Sequence, residues 1–252
     1  MAPIHLSVFQ HEKLEYYFKF YEPNAEGCLD DTSLSKFMKR VLAFTKWSPD
    51  DVKAVSCREV HEAFFEVLFE RAGGKLHQVS LQDWEKMWSN LLPGCMGIGN
   101  FPVWLRLLPK TLFQMIDRNN DEKVGVNELA AFYTEMVNIP PDLAQTRAAY
   151  AFDQMTDYGH YPLDLTSYEM IFSNFLIGRT PFGPGRHIFG CFEHSVKSFK
   201  LIQTPEDEDE ENASNQSQPQ GRRSSTDRTP VANVPYSKPK PMRQGSSRAL
   251  VS

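Results

Sequence analysis

The chain contains no run of eighteen apolar residues, so no stretch of it reads as a helix crossing a bilayer. Its opening, MAPIHLSVFQHEKLEYYF, lacks the basic and apolar blocks of a secretory signal, and a soluble, cytoplasmic protein is the expectation. A basic excess is missing too. With 27 Lys and Arg against 32 Asp and Glu, the net charge of -5 leaves no footprint for nucleic acid. The four cysteines, Cys28, Cys57, Cys95 and Cys191, share no CxxC or other metal-ligand spacing and read as reduced thiols. Glycine is modest at 14 while Phe reaches 18, which favours helices packed around aromatic anchors over many short strands. No convergent acid, base or nucleophile set is present either. Cys191 and His194, with His187 nearby, offer two or three lone ligands and no site, so the chain does not read as an enzyme.

What is there recurs at helical spacing. Val60, Phe64, Val67 and Leu68 form one stripe, Leu105, Leu108, Leu112 and Met115 a second, and Leu129, Phe132 and Met136 a third. Helix starts are predicted at Ser48-Pro49-Asp50-Asp51, with Pro in the first helical position, and at Ser80-Leu81-Gln82-Asp83. Breakers fall at Gly73-Gly74, Pro93-Gly94 and Pro140-Pro141, giving about eight short helices. From residue 204 the aromatic and large apolar residues thin out, and an acidic run gives way to Asn, Ser, Gln, Pro and scattered basic residues. Such a segment buries too little to offset backbone ordering of about 1–2 kcal/mol per residue, and disorder is expected there.

Between the second and third stripes lies Asp117-Arg-Asn-Asn-Asp-Glu-Lys-Val-Gly-Val-Asn-Glu128. Calcium takes six to eight oxygens, and a twelve-residue EF-hand loop delivers them from positions 1, 3, 5, 7, 9 and 12. Those are Asp117, Asn119, Asp121, the Lys123 carbonyl, a water under Gly125, and both carboxylate oxygens of Glu128. Val124, at position 8, is placed to pair with a partner loop. Glu122 departs from the pattern by standing at position 6, where the motif has Gly. A side chain at positive φ costs roughly 1–2 kcal/mol, or about five- to thirtyfold in affinity if binding imposes all of it.

One such unit buries its apolar face poorly, so further copies are expected. Residues 22–33 keep the rhythm, with Gly27 at position 6 and Leu29 at position 8, but begin on Glu22 and end on Ser33, which has no carboxylate. Residues 72–83 keep Val79 and Asp83 but open without an acid. Residues 156–167 keep Leu163 at position 8 but place Thr156, Tyr158 and His160 at ligand positions. The fold class expected is all-α: two paired EF-hand lobes, four helix-loop-helix units, with a disordered C-terminal tail. The boundaries are 1–92 for the pair with degenerate loops, 93–203 for the pair holding the intact loop, and 204–252 for the tail.

With four loops in place the chain resembles the invertebrate sarcoplasmic calcium-binding proteins and calexcitins over residues 8–195. The resemblance is carried by Trp84-Glu-Lys-Met-Trp88, Leu112-Phe-Gln-Met-Ile-Asp117, Ala151-Phe-Asp-Gln-Met-Thr-Asp157-Tyr-Gly159 and Pro184-Gly-Arg-His-Ile-Phe-Gly190. It implies four EF-hand units, the last commonly without metal, in a calcium buffer or signalling protein. The eroded first two loops depart from that pattern. A low-capacity, calcium-responsive signalling or binding protein is therefore expected, with a calcium-independent scaffold or a weak calcium buffer as alternatives. Trp84, Met87, Trp88, Trp104, Met115 and Met136 are core residues by spacing, and line a groove for a protein target in the alternative. Arg222-Arg223-Ser224-Ser225 offers Ser225 to a basophilic kinase.

Overall fold

Side-chain caps set several helix starts. Ser7 and Gln10 exchange bonds to each other's backbone N–H ahead of α1 (Val8–Phe20), and Ser80 and Asp83 do the same ahead of α4 (Leu81–Leu91). Asp30 accepts from the Thr32 and Ser33 amides to open α2 (Asp31–Thr45). The start predicted at Ser48-Pro49 is displaced. Ser48 to Asp51 closes a turn of its own, with Asp51 N donating to Ser48 O at 3.0 Å. Helix α3 (Val52–Arg71) begins beyond it, with the Asp51 carboxylate accepting from Lys53 N at 2.7 Å.

The structure, a computed structural model, describes residues 6–71 and 77–190. The breaker at Gly73-Gly74, the start of the second loop, Cys191, His194 and the whole expected tail, Ser225 included, lie outside the described residues. After α4 come a 3-10 turn (Ile98–Asn100), α5 (Val103–Ile116), α6 (Val126–Glu135), α7 (Pro141–Thr156), α8 (Leu165–Ile177) and a second 3-10 turn (Pro184–His187). The eight α-helices among the described residues match the expected all-α class. Pro141 opens α7 from its first helical position, where its missing N–H satisfies nothing that the helix needs. No described helix is long and apolar enough to cross a membrane.

The loops meet in pairs through position 8. Strand β1 (Cys28–Leu29) runs antiparallel to β2 (Val79–Ser80), with Leu29 opposite Val79. Val124 N donates to Leu163 O at 2.9 Å, and both of those side chains are buried.

The core is aromatic, as the Phe count implies. Tyr17 sits near its centre, stacked on Phe189 at 4.7 Å and edge-on to Trp84 at 5.2 Å and Phe175 at 5.8 Å. Such pairs add about 0.5–1.5 kcal/mol each beyond the area they bury. Trp84 Nε1 donates to Leu14 O at 3.0 Å, so a polar handle in this dry cluster finds a partner. Trp84, Met87, Trp88, Met115 and Met136 are all buried and Trp104 stacks on Phe64, so these residues form core and not the alternative groove. The last 3-10 turn packs tightly on α8. A Cβ on Gly185 would stand 2.2 Å from Phe175 N, so this backbone approach admits no side chain.

Helix α1 fastens α8 from below its C-terminus. Gln10 Nε2 donates to Leu176 O at 3.3 Å, and the buried Lys13 donates from Nζ to Phe175 O and, at 2.7 Å, to Gly178 O. These carbonyls belong to the last turn, which has no further backbone amide to receive.

Candidate metal centre

Helix α5 delivers Asp117 as its last act. The Asp117 amide still donates to Phe113 O at 2.9 Å, after which ψ opens to 81° and the chain leaves the helix. The Asp117 carboxylate, largely buried, then gathers the loop, Oδ1 accepting from Asp121 N and Oδ2 from Glu122 N, both at 3.2 Å. Asn119 Oδ1 accepts from Asp121 N at 2.8 Å, its Nδ2 donates to Asp121 Oδ2 at 3.0 Å, and Asp121 Oδ1 accepts from Lys123 N at 3.0 Å. Two left-handed residues make the turns, Asn120 at φ 58° and Glu122 at φ 64°. Position 6 therefore has the conformation for which the motif keeps Gly, and Glu122 bears that strain.

Helix α6 brings Glu128 back across the loop. Its Oε2 accepts from Gly125 N at 3.0 Å, and its Oε1 accepts from Arg118 N at 2.9 Å and Asn119 N at 3.2 Å. The sequence expected Asp117, Asn119, Asp121, Lys123 and Glu128 to share one ion. The structure puts them on one loop and links most of them by backbone bonds. Among the described residues it does not draw three or more acids, His or Cys into a single metal-holding cluster. The donor set is all oxygen and hard, which fits calcium in kind. Each Asp oxygen that accepts one amide keeps a second lone pair. Glu128 Oε1 accepts two, so holding an ion with both carboxylate oxygens requires it to release an amide at the loop's start.

The other loops spend their polar groups differently. In residues 22–33 the Glu22 carboxylate is paired with Arg40, whose Nη1 lies 3.1 Å from Glu22 Oε1 and donates to Met136 O at 3.1 Å. Asn24 Oδ1 accepts from the Glu26 and Cys28 amides at 3.0 Å each, and Ser33 Oγ donates to Glu22 O at 3.2 Å. In the second loop Asp83 is committed to Ser80, at 3.2 Å from its amide and 2.6 Å from its hydroxyl. In the fourth, Asp157, Tyr158 and Gly159 are left-handed in succession, and Asp164 Oδ1 caps α8 through Ser167 N at 2.9 Å. Thr156 Oγ1 bonds Phe152 O at 2.7 Å and Gly159 N at 2.9 Å.

Sequence reasoning missed two residues that border these loops. Arg40 stands far along the chain from Glu22, and no local spacing announces the pair. Lys53, near the start of α3, donates to Asn120 Oδ1 on the third loop, a contact between segments that no periodicity connects.

A scan against protein-family models finds no match, and a search of the curated proteins finds none. Solved structures do match. A sarcoplasmic calcium-binding protein from amphioxus aligns at 23% identity and a TM-score of 0.62, over 73% of this chain and 98% of that one. Calcium-loaded apo-aequorin from Aequorea victoria aligns at 18% and 0.54, over 68% and 92%. A Streptomyces coelicolor calcium-binding protein described in calcium-mediated regulation aligns at 18% and 0.51, over 67% and 98%. At these identities the likeness establishes the fold.

Proposed function

Because the chain has the EF-hand fold of the sarcoplasmic calcium-binding proteins, we propose that residues 117–128 bind one calcium ion and make it a low-capacity, calcium-responsive signalling or binding protein. The observation that carries this is the carboxylate of Glu128. It reaches from the first turn of α6 to the amides of Arg118 and Asn119, spanning the loop where position 12 must close on an ion. Asp117, Asn119 and Asp121 would supply side-chain oxygens and Lys123 its carbonyl. The bound ion supplies the charge that draws Glu128 away from those amides. Two arrangements of one side chain give a ligand something to select between.

A single site suits a responsive protein better than a buffer, since capacity scales with the number of sites. The solved neighbours reported above are described as calcium-binding proteins and calcium-loaded apo-aequorin, which supports a binding reading over an enzymatic one. A cytoplasmic place, an unidentified protein target and a kinase acting on Ser225 belong to the same reading.

Calorimetric titration over a magnesium background tests it. Wild type is expected to take up one equivalent of calcium, and Glu128→Gln to weaken that uptake by about a hundredfold, the upper end seen even for outer-shell partners of metal ligands. The bidentate reach of Glu128 favours calcium over magnesium. An absence of uptake at millimolar calcium leaves the calcium-independent scaffold as the reading, which the strain at Glu122 favours. That strain gives a second expected outcome. Because the fold already holds Glu122 at φ 64°, Glu122→Gly should raise stability to urea by about 1 kcal/mol and change calcium affinity little, whereas a clear tightening in the same titration would show that binding imposes the strain.

A further inference from the structure

The loop is clasped by a corner of the chain that supplies none of its ligands. Lys53 donates from Nζ to Asn120 Oδ1, and the same ammonium lies 6.0 Å from the centre of the half-buried Trp47 ring. On the other flank the Arg118 guanidinium lies 5.1 Å over Phe44 of α2 and 3.8 Å from Glu135 of α6. Beside Arg118 opens a cleft of about 440 Å³, lined by Thr45, Arg118, Asn119, Asn127, Glu128 and Ala131. The corner itself is anchored. Lys46 ends α2 at φ 61°, Trp47 N donates to Thr45 Oγ1 at 3.2 Å, and Arg58 donates to Pro49 O at 3.2 Å.

We propose that Lys53 restrains the metal site of residues 117–128 through Asn120, and that the 46–53 corner is the element that responds to an ion there. The inference rests on the calcium reading above. Position 4 of such a loop supplies no ligand, so Asn120 is left to hold Lys53. A dication held by Asp117, Asp121 and Glu128 repels that ammonium, with a strength reduced by solvent and salt. Moving Glu128 off the amides of Arg118 and Asn119 also shifts the backbone that directly precedes Asn120. The ion and the Lys53–Asn120 bond therefore oppose each other. Linkage makes the opposition reciprocal: the factor by which the ion weakens the bond is the factor by which the bond weakens the ion. Trp47, in contact with the same ammonium, reports which of the two prevails.

The test uses the full chain labelled with fluorotryptophan, followed by fluorine NMR during a calcium titration, the Trp47 resonance being assigned with Trp47→Phe. The buried Trp84 and Trp88 serve as references. In wild type the Trp47 resonance should move in step with calorimetric uptake while those two hold still. Lys53→Met should bind calcium about threefold more tightly at low salt, lose most of that gain at high salt as screening predicts, and leave Trp47 unmoved. Lys53→Arg should restore both the wild-type affinity and the shift. Uptake with a still Trp47, a shift of all the tryptophans together, or an unchanged affinity in Lys53→Met overturns the coupling and leaves the calcium reading standing. No uptake by wild type at millimolar calcium overturns both.

Discussion

Replacing Lys13 by methionine is expected to destabilise the fold by about 3 kcal/mol, since a buried charge removed from its partners leaves those partners without a donor. Lys13 is 1% exposed, donates to two carbonyls of the last turn of α8, and lies 4.7 Å from the Phe9 ring and 5.4 Å from the Phe175 ring. Methionine fills nearly the same volume, so the loss measures the donor and the charge and not a cavity. A cation at a helix C-terminus also meets the negative end of the backbone dipole, which adds to the effect. Opposing this is the desolvation of the ammonium, which methionine removes. The balance favours lysine because each carbonyl left dry costs about 1–3 kcal/mol and the aromatic faces on both sides add further attraction. Urea unfolding should show a midpoint lowered by roughly 1–2 M with an unchanged slope. A loss below about 1 kcal/mol would mean that desolvation of the ammonium cancels the bonds it makes.

This clasp was half legible. Phe9, Lys13 and Tyr17 follow one another at a spacing of four and share a face of α1, so a lysine stands within an aromatic stripe. The pattern marks Lys13 as buried, but its partners lie on α8, far along the chain, and periodicity carries no information about them. The same division runs through the metal loop. The helices on either side, the turn at Glu122 and the meeting of Val124 with Leu163 all follow from a motif whose positions have fixed jobs. The start of α3 did not follow, because Ser48-Pro49 fits a turn as well as a first helical position, and the choice fell to the bond from Lys53 N to Asp51. Arg40 is illegible for another reason. A guanidinium recruited across space to Glu22 removes a ligand from the first loop without changing the loop's own sequence.

Acidification from pH 6.5 to pH 4 is expected to remove about 3 kcal/mol of stability through His61 alone, at about 1.4 kcal/mol per pH unit. His61 is fully buried on α3, where its Nδ1 bonds to Cys57 O at 2.7 Å and its ring lies 4.5 Å from Phe37. Its Nε2 has no partner among the described residues, so a proton there would be a buried charge without an acceptor. Burial accordingly drives the imidazole down from 6.5 to about 4, against the small opposing pull of the Cys57 carbonyl. Between those two values the unfolded chain binds a proton that the folded chain refuses. Stability from this group is thus complete above pH 6.5, falls as the pH drops, and is exhausted near pH 4. His187, pushed down to about 3 by burial and by the neighbouring Arg186, acts in the same direction. Carboxylates, at about 3.9 for Asp and 4.3 for Glu, stay mostly ionised down to pH 5, so the histidines dominate the slope between pH 6.5 and 5. Urea unfolding across that interval should show the decline, and His61→Leu should flatten part of it. In the folded protein the His61 ring resonances should show no protonation down to pH 5. A stability that stays level from pH 6.5 to 5, or a His61 that titrates in the folded state near its ordinary value, would mean that water or an acid reaches Nε2 inside the core.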